Sequence, residues 1–286
     1  MKTYNLFLLV LLFSLSQFPQ GHASSPGKLL LFAGAASKPP TEEVVKAFRE
    51  KFKIPADVIF GGSGFVLSQM KLSRRGDIYF PGSSDFMEVA KREGFVYPES
   101  EKVVVYLVPA INVQKGNSKG IKSLMDLTKK GIRLAIANPE MVCVGTYAVE
   151  IIERHLNPKE KEALRKNLVN YTESCEKTAN VISLRAVDAV IGWRVFQYWD
   201  PERIETILLK PEEIPRIGYI PIAISKFTQD KALAQKFIDF ILSAQGKSIF
   251  KNYNYLMDLQ EARQFTKPET PVGGEYRLPK EWRTRQ

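Results

Sequence analysis

The chain has 286 residues, enough for one large or two modest domains, and its 41 Lys and Arg against 31 Asp and Glu give a formal charge of +10. The basic residues are spread over predicted helix faces without forming a stripe, so the charge favours a solvated surface with a mild attraction for anions over a nucleic-acid-binding face. Two cysteines and two histidines are too few for a His/Cys metal cluster.

The first 23 residues have the features of a secretory signal peptide. Lys2 supplies a positive end, Leu6 to Leu15 form a short apolar segment, and Ala23 is a small residue suited to cleavage. The segment is too short for a membrane span, and no cysteine lies at the expected cut to carry a lipid. We therefore expect a soluble periplasmic protein of about 260 residues after cleavage.

The stretch from Lys28 to Phe52 predicts a buried strand, a small-residue loop and an amphipathic helix. The apolar run Leu29–Ala33 ends at the loop Gly34–Ser37, and the apolar positions beyond the loop recur with helical spacing. Such a loop leaves backbone N–H groups at a helix N-terminus, where the helix dipole favours negative charge. This loop is the first candidate for half of an oxyanion site.

Two more strand and helix units follow. Ala56–Phe60 predicts a strand, the segment Gly61–Gly64 interrupts it, and a helix follows from Phe65 to Leu72. Asp77–Phe80 predicts a third strand, with a cluster of helix-capping residues at 83–85. This alternation is typical of an α/β fold with a mainly parallel sheet and helices on both faces.

The rest of the chain continues the alternation up to a tail that begins at Lys267. Asn157 is expected to cap a charged helix that has proline at its first position. The tail is rich in proline, glycine and charge, which indicates a surface arm or disorder. The predicted strands are 103–108, 111–114, 133–137, 189–193, 204–209 and 217–224, and the predicted helices are 123–127, 145–152, 158–168, 181–186, 231–242 and 248–255.

Cys143 and Cys175 are an even pair in a chain that is expected to be exported, which favours a disulfide over two free buried thiols. The bridge would close a loop of about 33 residues, and the chain-entropy estimate values it at roughly 3.7 kcal/mol.

Two of the predicted strand-to-helix junctions carry a serine, Ser37 in the first and Ser63 in the second. In a parallel sheet both junctions lie at the carboxyl ends of strands, along the edge where ligands bind. Their hydroxyls and the adjacent N–H groups could converge on a small anion, although each serine could instead only cap a helix or shape a turn.

An exported serine hydrolase that uses Ser63 is the alternative from another class. The segment Gly61–Phe65 resembles a nucleophile elbow, but Phe65 holds the place of the second glycine. A triad would also need His155, the one histidine left after cleavage. The chain has no phosphate-binding glycine loop of the Walker type. We therefore expect a protein that is not an enzyme and carries no cofactor.

Six segments follow one another as in the periplasmic molybdate/tungstate-binding proteins, and the resemblance covers residues 28–256. The second-lobe segments resemble that family's extended loop, its tyrosine-bearing helix, and a later strand that ends in an aromatic residue. The segments are LLLFAGAASKPPTEEVVKAF, IFGGSGFVLSQM, GDIYFPGSSDFM, RLAIANPEMVCVGTYAVEII, DAVIGW and FIDFILSAQGKSIFKNYNY.

The resemblance implies a two-lobed type II solute-binding protein that closes on a tetrahedral oxyanion and delivers it to an ABC permease. By position, Ser37 and Ser63 match hydroxyl donors of the first lobe, while Val144 and the segment at Asn180 match backbone N–H donors of the second. Trp193 stands where the family carries a tyrosine, so an indole N–H replaces a hydroxyl there.

The resemblance also implies how the chain divides. We expect a first lobe from 24–110 plus 221–266, a second lobe from 111–220, and a C-terminal tail from 267–286. The expected ligand is molybdate or tungstate, with phosphate, sulfate, another metal oxyanion or a small organic anion as alternatives. The expected partner is the permease, with no nucleic acid, and the protein is expected to be a monomer.

Overall fold

A computed structural model describes residues 27–283, so the predicted signal peptide lies outside the described residues. Within this range no helix is long and apolar enough to cross a bilayer. The strands in chain order are β1 (Leu29–Gly34), β2 (Ala56–Gly61), β3 (Ile78–Phe80), β4 (Lys102–Leu107), β5 (Pro109–Gln114), β6 (Leu134–Ala137), β7 (Leu168–Thr172), β8 (Ala189–Trp193), β9 (Ile204–Leu208) and β10 (Gly218–Ile224).

The helices cover both faces of the two sheets that these strands form. In chain order they are α1 (Lys38–Phe52), α2 (Ser63–Ser73), α3 (Ser84–Arg92), α4 (Cys143–His155), α5 (Pro158–Asn167), α6 (Cys175–Ser183), α7 (Lys231–Leu242), α8 (Ala244–Asn252) and α9 (Leu259–Arg263).

Each sheet has five strands and forms the centre of one lobe. The first lobe has the order β2-β1-β3-β10-β4 and the second has the order β7-β6-β8-β5-β9. The predicted two-lobed α/β architecture is therefore confirmed. The sheets are mixed rather than mainly parallel, because β10 runs antiparallel to both β3 and β4, and β5 runs antiparallel to both β8 and β9.

The chain passes between the lobes twice. It leaves the first sheet after Leu107 and joins the second at Pro109, and it leaves the second sheet after Leu208 and returns at Gly218. The segment 111–114, which the sequence predicts as a strand, is the body of β5 and pairs on both sides with strands of the second sheet.

Local sequence explains where the helices of the first and second lobes begin and end. Proline at 39 and 40 lies in the first turn of α1, where the missing N–H groups have no intrahelical role. Lys53 ends that helix in the left-handed conformation, at φ 57°. The predicted cap at Asn157 is confirmed, since its side chain accepts from the Glu160 N–H in a full capping box.

Two elements of the second lobe differ from the prediction. Residues 168–172 form the edge strand β7, with Val169 and Tyr171 exposed. The sequence predicts residue 168 as the end of a helix and no strand after it. Helix α6 begins at Cys175, six residues before the predicted start, because the Ser174 hydroxyl accepts from the Lys177 N–H and caps it.

A buried arginine within the second crossing joins the two lobes. Arg216 is 4% exposed, and its guanidinium donates to Asp85 on α3 of the first lobe at 2.8 Å and to Glu150 on α4 of the second lobe at 2.7 Å. The guanidinium carbon also lies 3.9 Å from the centre of the Tyr147 ring. Burial opposes its charge, but the negative groups beside it raise the pKa of Arg216 above its ordinary value.

The C-terminal tail is an ordered arm that contacts both lobes. Its Glu275 pairs with Arg92 of the first lobe at 2.8 Å. Its Trp282 is 5% exposed, and the indole N–H donates to Glu153 of the second lobe at 2.7 Å. Just before Glu275, the Gly274 carbonyl accepts from Arg216 at 2.7 Å. The tail therefore lies over the second crossing and packs as part of the fold.

Candidate functional site

The N-termini of helices from both lobes meet at the interface between the two sheets. In the first lobe β1 leads through a short 3-10 turn into α1, and β2 leads through Gly62 into α2. In the second lobe β6 precedes α4 and β7 precedes α6. Helix N-termini present N–H groups that lack intrahelical partners and carry a positive partial charge. The arrangement therefore favours a negative or electron-rich group between the lobes.

The two predicted serines lie at this interface and are buried, at 0% and 1% exposure. Ser37 Oγ accepts from the Thr41 hydroxyl at 3.1 Å, and Ser63 Oγ accepts from the Gly82 N–H at 2.9 Å. In both contacts the serine oxygen is the acceptor, so each serine O–H remains able to donate to a ligand.

The second lobe contributes two cysteines at the first positions of α4 and α6. Their sulfur atoms are 3.6 Å apart and both thiols are free and buried. The disulfide favoured by the sequence is not formed in this structure, because the separation exceeds the bond length of about 2.05 Å. The pKa of the Cys175 thiol is raised well above its ordinary value, mainly by burial and to a smaller extent by contact with Cys143. The Val144 N–H and the Trp193 indole lower that pKa by smaller amounts.

Trp193 and Tyr147 are neighbouring buried aromatics at the same place. Their ring centres are 4.8 Å apart in an edge-on arrangement, and both side chains are fully buried. Within the part of the chain that the structure describes, neither the Trp193 Nε1 nor the Tyr147 hydroxyl has a hydrogen-bond partner. A buried donor without a partner costs free energy and needs an explanation. A bound ligand that accepts hydrogen bonds would give both donors a partner.

The structure brings together four of the five predicted ligand residues and leaves one apart. Ser37, Ser63, Val144 and Trp193 line the interface, whereas Asn180 is exposed and lies more than a turn along α6. The N-terminus of that helix is at Cys175, so the residues that face the interface come five positions earlier than expected.

Tyr147 is an aromatic residue of the site that the sequence analysis did not name as a ligand candidate. It follows Cys143 by four residues on α4, and that spacing puts both side chains on the same face of the helix. Helical periodicity counted from the cysteine would have indicated it.

A cavity of about 480 Å³ opens beside this buried cluster, at the mouth of the cleft. The Lys38 ammonium bridges the two lobes next to it by pairing with Glu176 at 2.6 Å, which raises the pKa of Lys38. The Gly64 N–H also donates across the cleft to the Met141 carbonyl at 2.9 Å. The lobes are therefore closed on each other. The cavity is lined by Phe60, Gly61, Gly62, Phe65, Asn138, Met141, Glu173, Ser174, Glu176 and Lys177.

The pair required for a serine hydrolase does not come together. Ser63 is surrounded by the Tyr79 hydroxyl and the Gly82 N–H in the first lobe. His155 lies at the far end of α4, where burial lowers the pKa of its imidazole and Glu213 is the charged neighbour with the largest opposing effect. Within residues 27–283 no group of three or more His, Cys, Asp or Glu side chains could hold a metal ion.

Comparisons with known proteins agree with this architecture. A family model described as bacterial extracellular solute-binding protein matches residues 29–256. A putative binding protein of Haemophilus influenzae is 27% identical over 235 residues, which cover 80% of this chain and 90% of the relative. The molybdate-binding protein ModA of Mycobacterium bovis is 22% identical over 238 residues, which cover 81% of this chain and 85% of the relative.

Among solved structures, the periplasmic molybdate-binding protein of Azotobacter vinelandii is similar with a TM-score of 0.70. The two are 17% identical, and the match covers 80% of this chain and 99% of that one. At this identity the likeness establishes the shared fold.

Proposed function

This chain belongs to the bacterial extracellular solute-binding proteins, and we propose that it captures a small oxyanion in the periplasm for delivery to an ABC permease. The observation that carries the proposal is the pair of buried donors Trp193 and Tyr147, which have no hydrogen-bond partner within residues 27–283 and lie where four helix N-termini meet. Ser37 and Ser63 add two hydroxyl donors to the same place.

Neutral donors suit an anion that must be held and then released. The nearby Arg216 guanidinium is already paired with Asp85 and Glu150, so it adds little uncompensated charge. Several charge-assisted N–H and O–H bonds in a dry cleft can replace the water that a small oxyanion loses. Selectivity then depends on the size of the site and the direction of its donors.

Molybdate or tungstate is the first choice of ligand. Relatives named for molybdate binding cover most of this chain, and the positions of Ser37, Ser63 and Val144 resemble the donor positions of that family. Trp193 in place of a tyrosine changes one donor, so phosphate, sulfate, another metal oxyanion or a small organic anion are the alternatives. We expect lobe closure around the ligand to present the bound form to the permease.

A thermal-shift panel of oxyanions tests the ligand. We expect molybdate or tungstate to raise the melting temperature, because a ligand at 100 times its Kd adds about 2.7 kcal/mol of stability. If phosphate or sulfate raises the melting temperature while molybdate and tungstate do not, the first choice of ligand is wrong.

Replacing either interface serine should weaken binding without unfolding the protein. Ser37→Ala and Ser63→Ala each remove a hydroxyl donor to a charged ligand, a loss of about 1.5–3 kcal/mol, so the Kd should rise about tenfold or more by calorimetry. Ser68→Ala is the matched control, since its hydroxyl bonds only the Gly64 carbonyl within α2. Equal affinities in all three variants would remove the serines from the site.

The hydrolase alternative has its own test. Turnover of an ester that is abolished by both Ser63→Ala and His155→Ala would support it, although the structure does not bring these residues together.

A further inference from the structure

Two thiols lie where the proposed function places the anion. The sulfur of Cys143 reaches across the interface to Gly82 of the first lobe, and a methyl group added to that glycine would lie 2.7 Å from it. The same methyl group would lie 3.4 Å from the Ser63 hydroxyl oxygen. The thiols and the predicted hydroxyl donors therefore border one point in the cleft.

We propose that Cys143 and Cys175 bind the captured anion directly through sulfur, so that the site takes oxyanions of elements that bond to thiolates and rejects sulfate and phosphate. Molybdenum, tungsten and trivalent arsenic are such elements. This inference rests on the proposed function, since it names the ligand class of the same site.

The separation of the sulfurs fits a single central atom. Two bonds of about 2.3 Å from one atom to sulfur, the length found in zinc thiolates, place the sulfurs roughly 3.8 Å apart when the angle between the bonds is about 109°. The observed distance between the Cys143 and Cys175 sulfurs is 3.6 Å. One atom could therefore take both thiols with a movement of a few tenths of an ångström.

Binding has to displace the thiol protons, because burial raises the pKa of the Cys175 thiol well above its ordinary value. A central atom that bonds sulfur displaces them. Each cysteine is the first residue of a helix, where the dipole stabilises negative charge. The Val144 N–H also favours the charged form of the Cys175 sulfur and opposes part of the effect of burial. When the central atom takes the sulfurs, the unpartnered Trp193 and Tyr147 donors are placed to bond its remaining oxygens.

The binding reaction changes no oxidation state. Two S–H bonds break and two bonds form from sulfur to the central atom. With molybdate or tungstate, one oxo group leaves with both protons as one water molecule. With arsenous acid, two hydroxyl groups leave with one proton each as two water molecules. No oxidant or reductant takes part.

Titration of the reduced full chain tests the inference, with sodium molybdate, tungstate and arsenite as probes and sulfate and phosphate as controls. Affinity is measured by calorimetry, and sulfur bonding by near-ultraviolet difference absorption. We expect at least one probe to bind with a new sulfur-to-ligand absorption band. In Cys143→Ser, Cys175→Ser and the double variant, that band should disappear and the Kd should rise at least tenfold, while a cooperative thermal transition shows that each variant still folds.

Three results would overturn the inference, each in a distinguishable way. Equal affinity for the probes in the wild type and the double serine variant, with no absorption band, would show that the thiols do not bond the ligand, while the proposed capture function would stand. Tight binding of sulfate or phosphate by the wild type and by the Cys→Ser variants alike would also show that the thiols do not bond the ligand. It would leave the capture function standing and identify sulfate or phosphate as the ligand. Failure of every oxyanion to bind would overturn the proposed function and this inference together.

Discussion

Replacing Arg216 with methionine should lower the free energy of unfolding by about 3–5 kcal/mol, because it leaves the buried Asp85 without its counter-charge and leaves the buried Glu150 paired with the half-exposed Arg154 alone. Asp85 comes from the first lobe and Glu150 from the second, and both bond the guanidinium within 2.8 Å. Urea denaturation followed by circular dichroism measures the change. We also expect the two lobes to unfold less cooperatively, since the same side chain joins them.

Arg154→Met is the matched control for the buried cluster. Arg154 pairs with Glu150 at 2.8 Å, but its side chain is 54% exposed, so its loss should cost no more than about 1 kcal/mol. Adding Asp85→Asn and Glu150→Gln to Arg216→Met should recover part of the lost stability, because neither carboxylate of this cluster then remains. Equal destabilisation by Arg216→Met and Arg154→Met would mean that the cluster does not behave as a buried one.

Gly62→Ala should raise the Kd for the ligand by roughly 100-fold, or about 2.7 kcal/mol, while leaving each lobe folded. The added methyl group would lie 2.7 Å from the Met141 carbonyl oxygen and 2.8 Å from that of Glu173. Both oxygens are backbone atoms of the opposite lobe, so neither can turn aside as a side chain could. The lobes would have to separate, and the donors would no longer converge.

Gly61→Ala separates this effect from a general cost of losing glycine. Its methyl group would meet only the side chains of Phe65 and Val66 of its own lobe, at 3.2 and 3.1 Å. Calorimetry on both variants should therefore show near-normal affinity for Gly61→Ala. Small-angle scattering with saturating ligand should show a more open form for Gly62→Ala alone. Equal affinities of the two variants would show that the close contact of Gly62 with the opposite lobe is not needed for ligand binding.

Local patterns predicted most of the fold because strands and helices in the first lobe are short, strongly periodic and separated by glycine or proline. The edge strand β7 was missed because Val169 and Tyr171 alternate with polar residues directly after a helix, and nothing in the sequence marks the boundary. The mixed direction of the sheets could not be predicted, since it depends on where β5 and β10 insert among strands that are distant in sequence.

The site was predicted in part for a similar reason. Ser37 and Ser63 follow strongly predicted strands, so their common position at the sheet edge could be inferred from topology. Asn180 was misplaced because its helix begins at the Ser174 cap, ahead of the apolar residues that seemed to open it. The contact between Cys143 and Cys175 joins two helix ends across the second lobe, and only the folded structure fixes whether they meet as thiols or as a bridge.

The ordered tail has a consequence for how tightly this protein holds any ligand. It follows the last residue that the family model matches, and it fastens to Arg92 on one lobe and Glu153 on the other. Observed affinity includes the fraction of molecules that already adopt the binding-competent form. If these contacts restrain separation of the lobes, they change that fraction equally for every anion, so we expect the tail to affect the strength of binding and the cleft to determine its selectivity.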